Sequence, residues 1–341
     1  MNSALSRPGP RFSIRMGIAG NVRALAQLAQ EVEAAGFDQI WTGNDFLGES
    51  GLVALTAIAM STSTVRFGSG VIDPVSIHPG QIAMFASALQ DLSDGRFILG
   101  LGSGSDAFFR MAGVAAPAPL ARTRDAILAI RALTQGLSPK GIKGVTAEWM
   151  ENARLRFHRL VPIYVGAMGP RMLDLTGRLA DGALPLCLPP QHFRRVHVQI
   201  AAGAAAAGRS VDDLDIAACL WTSVDDDRDV ALRLLARQIA RYAGSLSMDA
   251  LAANGFDPDE FNRTQRILDS DGEAAAIASV SPRMLELGIA GSAADVITRI
   301  TELLAMGVRH ISFGPPLGSD RAATTRLIGT RVLPELRRVW T

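Results

Sequence analysis

The chain predicts an α/β fold, a (βα)8 TIM barrel with insertion segments at its carboxyl-terminal face, and three observations carry that expectation. Short apolar runs alternate with segments of helical periodicity along nearly the whole length, the runs number eight, and glycine-rich stretches follow several of them directly. Regular alternation of strand and helix implies parallel strands joined by helical crossovers. A count of eight favours closure of the sheet on itself over an open, doubly wound sheet.

The first unit is the apolar run 13–18 followed by 22–35, whose apolar residues recur at helical spacing until Gly36 ends the segment. The pattern repeats with a strand at 39–42 and a helix at 51–61, a strand at 66–71 and a helix at 79–92, and a strand at 96–101 and a helix at 121–134. In the second half, strands are expected at 162–165, 183–188, 214–224 and 310–313, with helices at 170–179, 190–207, 228–242 and 319–339. Two stretches interrupt the alternation. Residues 137–159 read as a strand or hairpin insertion, and 244–292 hold several short helices broken by Asn254, Gly255 and Pro258, before a well-formed helix at 293–306. Insertions on carboxyl-face loops either roof a pocket or thicken the outer ring of helices.

With 341 residues, 48% of them apolar and 20% charged, the chain can bury one large core, and barrels of this length are commonly single domains, so one domain over 1–341 is expected. The net charge of +1, with both signs interspersed, provides no electrostatic footprint for nucleic acid or an anionic membrane. No apolar run approaches the roughly 18 residues of a membrane span, and the first residues lack a signal-peptide core, so a cytoplasmic location is expected. Cys187 and Cys219 lie in apolar, strand-like surroundings and read as two buried thiols. The five histidines, at 78, 158, 192, 197 and 310, show no metal-binding spacing, and no metal is expected.

Chemistry is concentrated where glycines leave the carboxyl ends of strands, the edge at which barrel enzymes place cofactors. After the fourth strand come Gly100, Leu101, Gly102, Ser103, Gly104 and Ser105, whose closely spaced backbone N–H groups either nest an anion or simply make a tight strand exit. A second cluster after the fifth strand, Gly166, Ala167, Met168 and Gly169, runs into Pro170 and Arg171 at a helix start. Two nests at one face suit a single phosphate-bearing planar ligand. In the third strand, Gly68, Ser69, Gly70 and Val71 put glycines where side chains are expected, which permits close approach of a flat ring. Asn44 and Asp45, after the second strand, either meet the edge of such a ring or cap the helix that begins at Gly51, and His78 before Pro79 reads as a cap.

At these residues the sequence resembles the bacterial luciferase-like superfamily, and within it the branch of coenzyme F420-dependent methylenetetrahydromethanopterin reductase. The segments AAGFDQIWTGND, FGSGVIDPVSIHPGQIAMFASALQDLSDGRFILGLGSGSD, VPIYVGAMGPRMLDLTGRLADGAL and MGVRHISFGPPLGSD keep the family's order and spacing. The resemblance implies a non-proline cis peptide at Gly70 and Val71 that backs the deazaflavin ring. It implies that Gly102, Ser103 and Gly104, with Gly166, Ala167, Met168 and Gly169, surround the phosphate-bearing tail. It further implies a closing loop at Gly314 and Pro315.

Four positions depart from the family's pattern. Asn44 and Asp45 stand where members usually carry Asp followed by His. Ala19 and Met168 stand where the pterin reductases carry a glutamate and a glutamine. Loss of both polar groups argues against the pterin reaction, which needs an acid near the leaving amine and partners for the pterin edge. The expectation is therefore an F420-dependent oxidoreductase that passes hydride to a small organic acceptor, with Asp45 as candidate proton donor, Ala19, Met168, Gly314 and Pro315 lining the acceptor pocket, and a homodimer or higher homo-oligomer as the assembly. An FMN-dependent monooxygenase on the same barrel is the alternative. A non-catalytic ligand-binding barrel is a third reading, against which the intact glycine loops speak.

Overall fold

The computed structural model describes residues 9–17, 21–44, 48, 50–104, 106–115 and 117–340. They divide into two compact units: one is built on Ser13–Leu186 and Arg195–Ala217, and the other holds the remaining described residues.

In chain order the elements are β1 (Arg11–Arg15), α1 (Val22–Ala34), β2 (Gln39–Thr42), α2 (Gly51–Ser61), β3 (Arg66–Ser69), α3 (Pro79–Leu92), β4 (Phe97–Leu101), α4 (Asp106–Met111), α5 (Pro119–Thr134), β5 (Ile163–Val165), α6 (Pro170–Leu179), β6 (Gly182–Ala183), α7 (Phe193–Ala206) and β7 (Asp215–Val224). They continue with α8 (Arg228–Tyr242), α9 (Met248–Ala253), α10 (Pro258–Asp271), α11 (Glu273–Ala278), α12 (Pro282–Leu285), β8 (Ile289–Gly291), α13 (Ala293–Ala305), β9 (His310–Leu317), α14 (Arg321–Leu327) and α15 (Leu333–Trp340).

The strand order is β6-β5-β4-β3-β2-β1-β9-β7-β8, and a further β6–β7 pairing closes the ring. The result is a (βα)8 barrel of β1 to β7 and β9, with β8 as an additional strand. Within the first unit the registers are parallel throughout: Arg15 opposite Trp41, Thr42 opposite Ser69, Gly68 opposite Ile98, Leu101 opposite Val165, and Ala183 opposite Ile216. In the second unit, Thr222 to Val224 pair with Ile289 to Gly291.

The strands are buried almost without interruption, as parallel strands covered on both faces must be. Trp41 of β2 and Tyr164 of β5 are both fully buried and stand 5.5 Å apart between ring centroids. These strands are not neighbours, so the two rings meet across the interior of the sheet. Helix starts are capped by side chains that take otherwise unpaired N–H groups: Asn21 accepts from Ala24 at 2.9 Å, and His78 Nδ1 accepts from Gly80 at 3.1 Å, with Pro79 in the first turn where its missing N–H costs nothing. Cys187 and Cys219 are buried thiols.

Several expected elements differ. Residues 137–159 form turns rather than a strand or hairpin. This segment lies along α5 and α3, where Thr146 donates to Asp125, Arg159 pairs with Asp91 at 2.7 Å and Trp149 stacks 5.4 Å from His78. The sixth strand shrinks from 183–188 to two residues, Gly182–Ala183, because Pro185 has no N–H to donate to a ladder. The third strand stops at Ser69, before the cis Gly70–Val71 bond. The final helix is divided by a π-helical turn over Ile328–Val332. In the second unit, α10, α11 and α12 pack on α8, so much of the 244–292 insertion thickens that helix layer.

Candidate cofactor site

The carboxyl ends of β2, β3, β4 and β5 are laced together by backbone hydrogen bonds that run past the strands. Gly70 donates to the Thr42 carbonyl at 2.8 Å, Asn44 to Val71 at 3.3 Å, Ile72 to Gly100 at 2.9 Å, Gly102 to Ile72 at 3.0 Å, and Gly166 to Leu101 at 2.7 Å. Ser69 Oγ donates to the Gly100 carbonyl and accepts from the Gly100 N–H, both at 2.9 Å. The peptide between Gly70 and Val71 is cis, as the resemblance implies.

The isopropyl group of Val71 explains two of the glycines. A Cβ on Gly102 would stand 2.5 Å from Val71 Cγ2, and one on Gly166 would stand 3.0 Å from Val71 Cγ1, so only hydrogen at both positions lets the side chain seat between the two loops. Gly104 is in the left-handed region at φ +76°, and a Cβ there would lie 2.2 Å from the ring of Phe109. Gly68 has a different role from the one read in the sequence: the space its side chain would take is filled by the ring of Trp41, not left for a ligand.

The two nests are therefore only partly available to an anion. The N–H groups of Gly102 and Gly166 are spent on the lacing. Those of Ser103, Gly104, Ala167, Met168 and Gly169 have no protein acceptor among the described residues. Ser103 is half-buried, Gly104 exposed, Ala167 buried, and Met168 60% exposed. Gly169 is the N-cap of α6 with no side chain to satisfy the first turn, and Pro170 follows it. A phosphate would find here N–H donors and the positive end of a helix.

Asp73 braces this region. Its buried carboxylate accepts from the N–H groups of Val75 at 2.9 Å and Ser76 at 2.6 Å, and from the Ser76 hydroxyl at 2.6 Å. Its Cβ also comes close to Gly104. Two further groups escaped the sequence reading: Thr42 Oγ1 and Trp41 Nε1 are buried polar atoms without a hydrogen-bond partner among the described residues. Unpaired buried donors are costly unless something meets them, and Thr42 stands at the end of β2 beside Ser69. The signal available in the sequence was the threonine at a strand end next to Gly43.

Asn44 takes the capping alternative, its Oδ1 accepting from Gly51 at 3.0 Å at the start of α2. Gly314 and Pro315 belong to the second unit, where the Gly314 carbonyl accepts from Thr222 Oγ1 at 2.9 Å and the Pro315–Pro316 bond is cis. Ala19 and Asp45 lie outside the described residues. Among the described residues no group of three His, Cys, Asp or Glu side chains is arranged to hold a metal ion, and no helix is long and apolar enough to cross a membrane.

The laced strand ends, the unspent N–H groups and the orphaned Thr42 hydroxyl fit a flat group carrying a phosphate tail. Comparison with known proteins agrees with this geometry. The 5,10-methylenetetrahydromethanopterin reductase of Archaeoglobus fulgidus is 34% identical over 311 residues, 89% of this chain and 93% of the relative. An F420-dependent glucose-6-phosphate dehydrogenase of Nakamurella multipartita is 29% identical, over 92% of both chains. The structure of the coenzyme F420-dependent tetrahydromethanopterin reductase of Methanopyrus kandleri superposes with a TM-score of 0.89 at 27% identity, covering 96% of this chain and 99% of that one. The profile of the luciferase-like monooxygenase family matches residues 8–310, and the chain belongs to that family.

Proposed function

We propose that the protein is a coenzyme F420-dependent oxidoreductase that delivers hydride to a small organic acceptor other than a methylene pterin. The observation that carries this reading is the pair of unspent N–H groups at Ser103 and Gly104 facing the same strand edge as those of Ala167, Met168 and Gly169, at the ends of the paired strands β4 and β5. Proteins named for F420 dependence are a tetrahydromethanopterin reductase and a glucose-6-phosphate dehydrogenase, so kinship points to the cofactor more strongly than to the acceptor.

Reduced deazaflavin, when bound, supplies a hydride from C5. The chain's part is placement. Gly70 and Val71 present a backbone and apolar surface for the ring, the five N–H groups receive the phosphate oxygens, and the Thr42 hydroxyl is a donor for the ring edge. Asp45 is the proposed proton donor to the reduced acceptor. Ala19 and Met168 are the proposed acceptor-lining residues. Where the pterin reductases carry an acid and an amide, Ala19 and Met168 have no group to protonate a leaving amine or to pair with a pterin edge. Homo-oligomeric assembly belongs to the same proposal, supported by the apolar residues Val53, Met60 and Met84 exposed on α2 and α3.

Fluorescence titration with F420 and with FMN tests the cofactor, and oxidation of reduced F420 in the presence of methylenetetrahydromethanopterin, glucose 6-phosphate and apolar ketones tests the acceptor. The proposal expects tight F420 binding, weak FMN binding, and turnover without the pterin. Tight FMN binding with none for F420 would replace it with the monooxygenase reading, since deazaflavin lacks flavin's oxygen reactivity. Binding of neither would favour a non-catalytic barrel, and efficient pterin reduction would remove the claim about the acceptor.

A further inference from the structure

The first unit holds a cavity of about 390 Å³ whose charge is not accounted for by the barrel. Its walls include Pro119, Leu120 and Arg124 from the start of α5, and Arg171, Asp174 and Leu175 from the first turns of α6. These two helices follow the loops that leave β4 and β5, whose last residues, Leu101 and Val165, lie opposite each other. The cavity thus sits downstream of both nests.

The acids nearby are already committed. Asp174, in the cavity wall, is held by Arg178 through two bonds of 2.7 and 3.2 Å. Asp125 accepts from the Thr146 N–H at 2.9 Å and from the Thr146 hydroxyl, and reaches Arg124 Nη2 only at 3.4 Å. The two arginines are less fully engaged, Arg124 reaching Asp125 through Nη2 alone. Arg124 Nε is buried without a hydrogen-bond partner, and Arg171 forms no ion pair among the described residues. Ala118, the N-cap of α5, offers no side-chain cap, so the positive ends of both helices add to the two guanidinium groups.

The unpaired Arg171 guanidinium and the unpartnered Arg124 Nε–H, beside a carboxylate already held by Arg178, suit an anion with more than one oxygen, the geometry a planar fork of donors matches best. We infer that this cavity receives the carboxylates at the far end of the cofactor tail, beyond the phosphate held by the glycine loops, with Arg171 and Arg124 as the binding residues. The inference rests on the F420 reading of the site. It gives the chain a means of favouring a long, acidic tail, which brings carboxylates to the arginines, over a ligand that ends at its first phosphate.

The test measures binding by quenching of deazaflavin fluorescence, with three ligands: the complete cofactor, the cofactor without its glutamates, and the deazaflavin riboside without any tail. The wild type is expected to bind them in that order of decreasing affinity. Arg171→Ala and Arg124→Gln should each weaken the complete cofactor by about tenfold, the usual effect of losing a charged hydrogen bond. Both should leave the riboside unchanged, and Arg124→Lys should restore part of the loss. Equal binding of the complete cofactor by wild type and both variants would overturn the inference, as would equal losses for all three ligands in variants whose melting is unchanged. A calorimetric arm with γ-linked triglutamate alone, and with inorganic phosphate alone, decides the matter even if the wild type binds no deazaflavin and the F420 reading fails. Triglutamate heat in the wild type that disappears in Arg171→Ala supports a carboxylate site, and phosphate binding without triglutamate binding refutes it.

Discussion

The two ends of the strands in the first unit treat their polar groups in opposite ways. At the amino ends, side chains are spent on holding loops. Arg96, before β4, donates five hydrogen bonds of 2.8 to 3.0 Å to Ser93, Thr62, Val65 and Ala59. Glu33 of α1 accepts from the N–H groups of Ser63, Thr64 and Val65, just ahead of β3. Asp181 takes the Ile163 N–H at 2.8 Å and pairs with Arg131 at 3.0 Å, and the Tyr164 hydroxyl donates to Asp215 at 2.8 Å. At the carboxyl ends the lacing is mostly backbone, helped by the Ser69 hydroxyl and the Asp73 carboxylate, and five N–H groups are left over. One edge invests its polar groups in stability, while the other leaves them for a ligand, which is how a barrel can change chemistry without changing its frame.

Substitutions should separate the two edges. The largest effect is expected from Arg96→Ala, which strands several carbonyls and removes a charged donor set. Denaturant unfolding should show a loss of about 3 kcal/mol or more, with residual folded protein still binding cofactor at near wild-type affinity. Gly102→Leu should do the reverse, displacing Val71 and weakening cofactor binding by about 10- to 100-fold, the equivalent of 1 to 3 kcal/mol of overpacking, while the amino-end network keeps its protection from hydrogen exchange. Tyr164→Phe should cost about 1 to 2 kcal/mol of stability and leave the cofactor affinity alone. If it weakened binding as strongly as Gly102→Leu, the division between the edges would be lost.

The smallest effect concerns acid. Burial raises the Glu33 pKa, but bonds from the backbone of Thr64, Val65 and Ser63 and from the Thr64 hydroxyl outweigh it, so the carboxyl sits below its ordinary value. A depressed carboxyl stabilises the fold above its unfolded pKa, and the contribution is lost as pH falls through the lowered folded value. Because Glu33 is largely solvated, the contribution should be under about 1 kcal/mol. Stability curves between pH 6 and pH 3, taken on wild type and Glu33→Gln, should converge at the acidic end; curves that stay parallel would remove Glu33 from the network.

What the sequence revealed followed the same division. The carboxyl edge was legible because its devices are local: glycines at strand exits and proline at helix starts. The amino edge was not, since Glu33 meets Thr64 and Tyr164 meets Asp215 across 31 and 51 residues of chain, and no spacing rule connects such pairs. β8 was missed because three residues, Ile289 to Gly291, are too few to show a period. Residues 137–159 looked like a hairpin because valine and tryptophan there suggest strands, whereas Trp149 is used to cover His78. Asn44 could serve a ring or a helix with the same amide, and only the 3.0 Å bond to Gly51 decided how its oxygen is used.

Amide hydrogen exchange with and without F420 tests the central claim most directly. The N–H groups of Ser103, Gly104, Ala167, Met168 and Gly169, unspent in the protein, should slow markedly on binding, while those of Ser63, Thr64 and Val65 at the opposite edge should not change. F420 binding that leaves the five carboxyl-edge amides exchanging at their original rates would contradict the account.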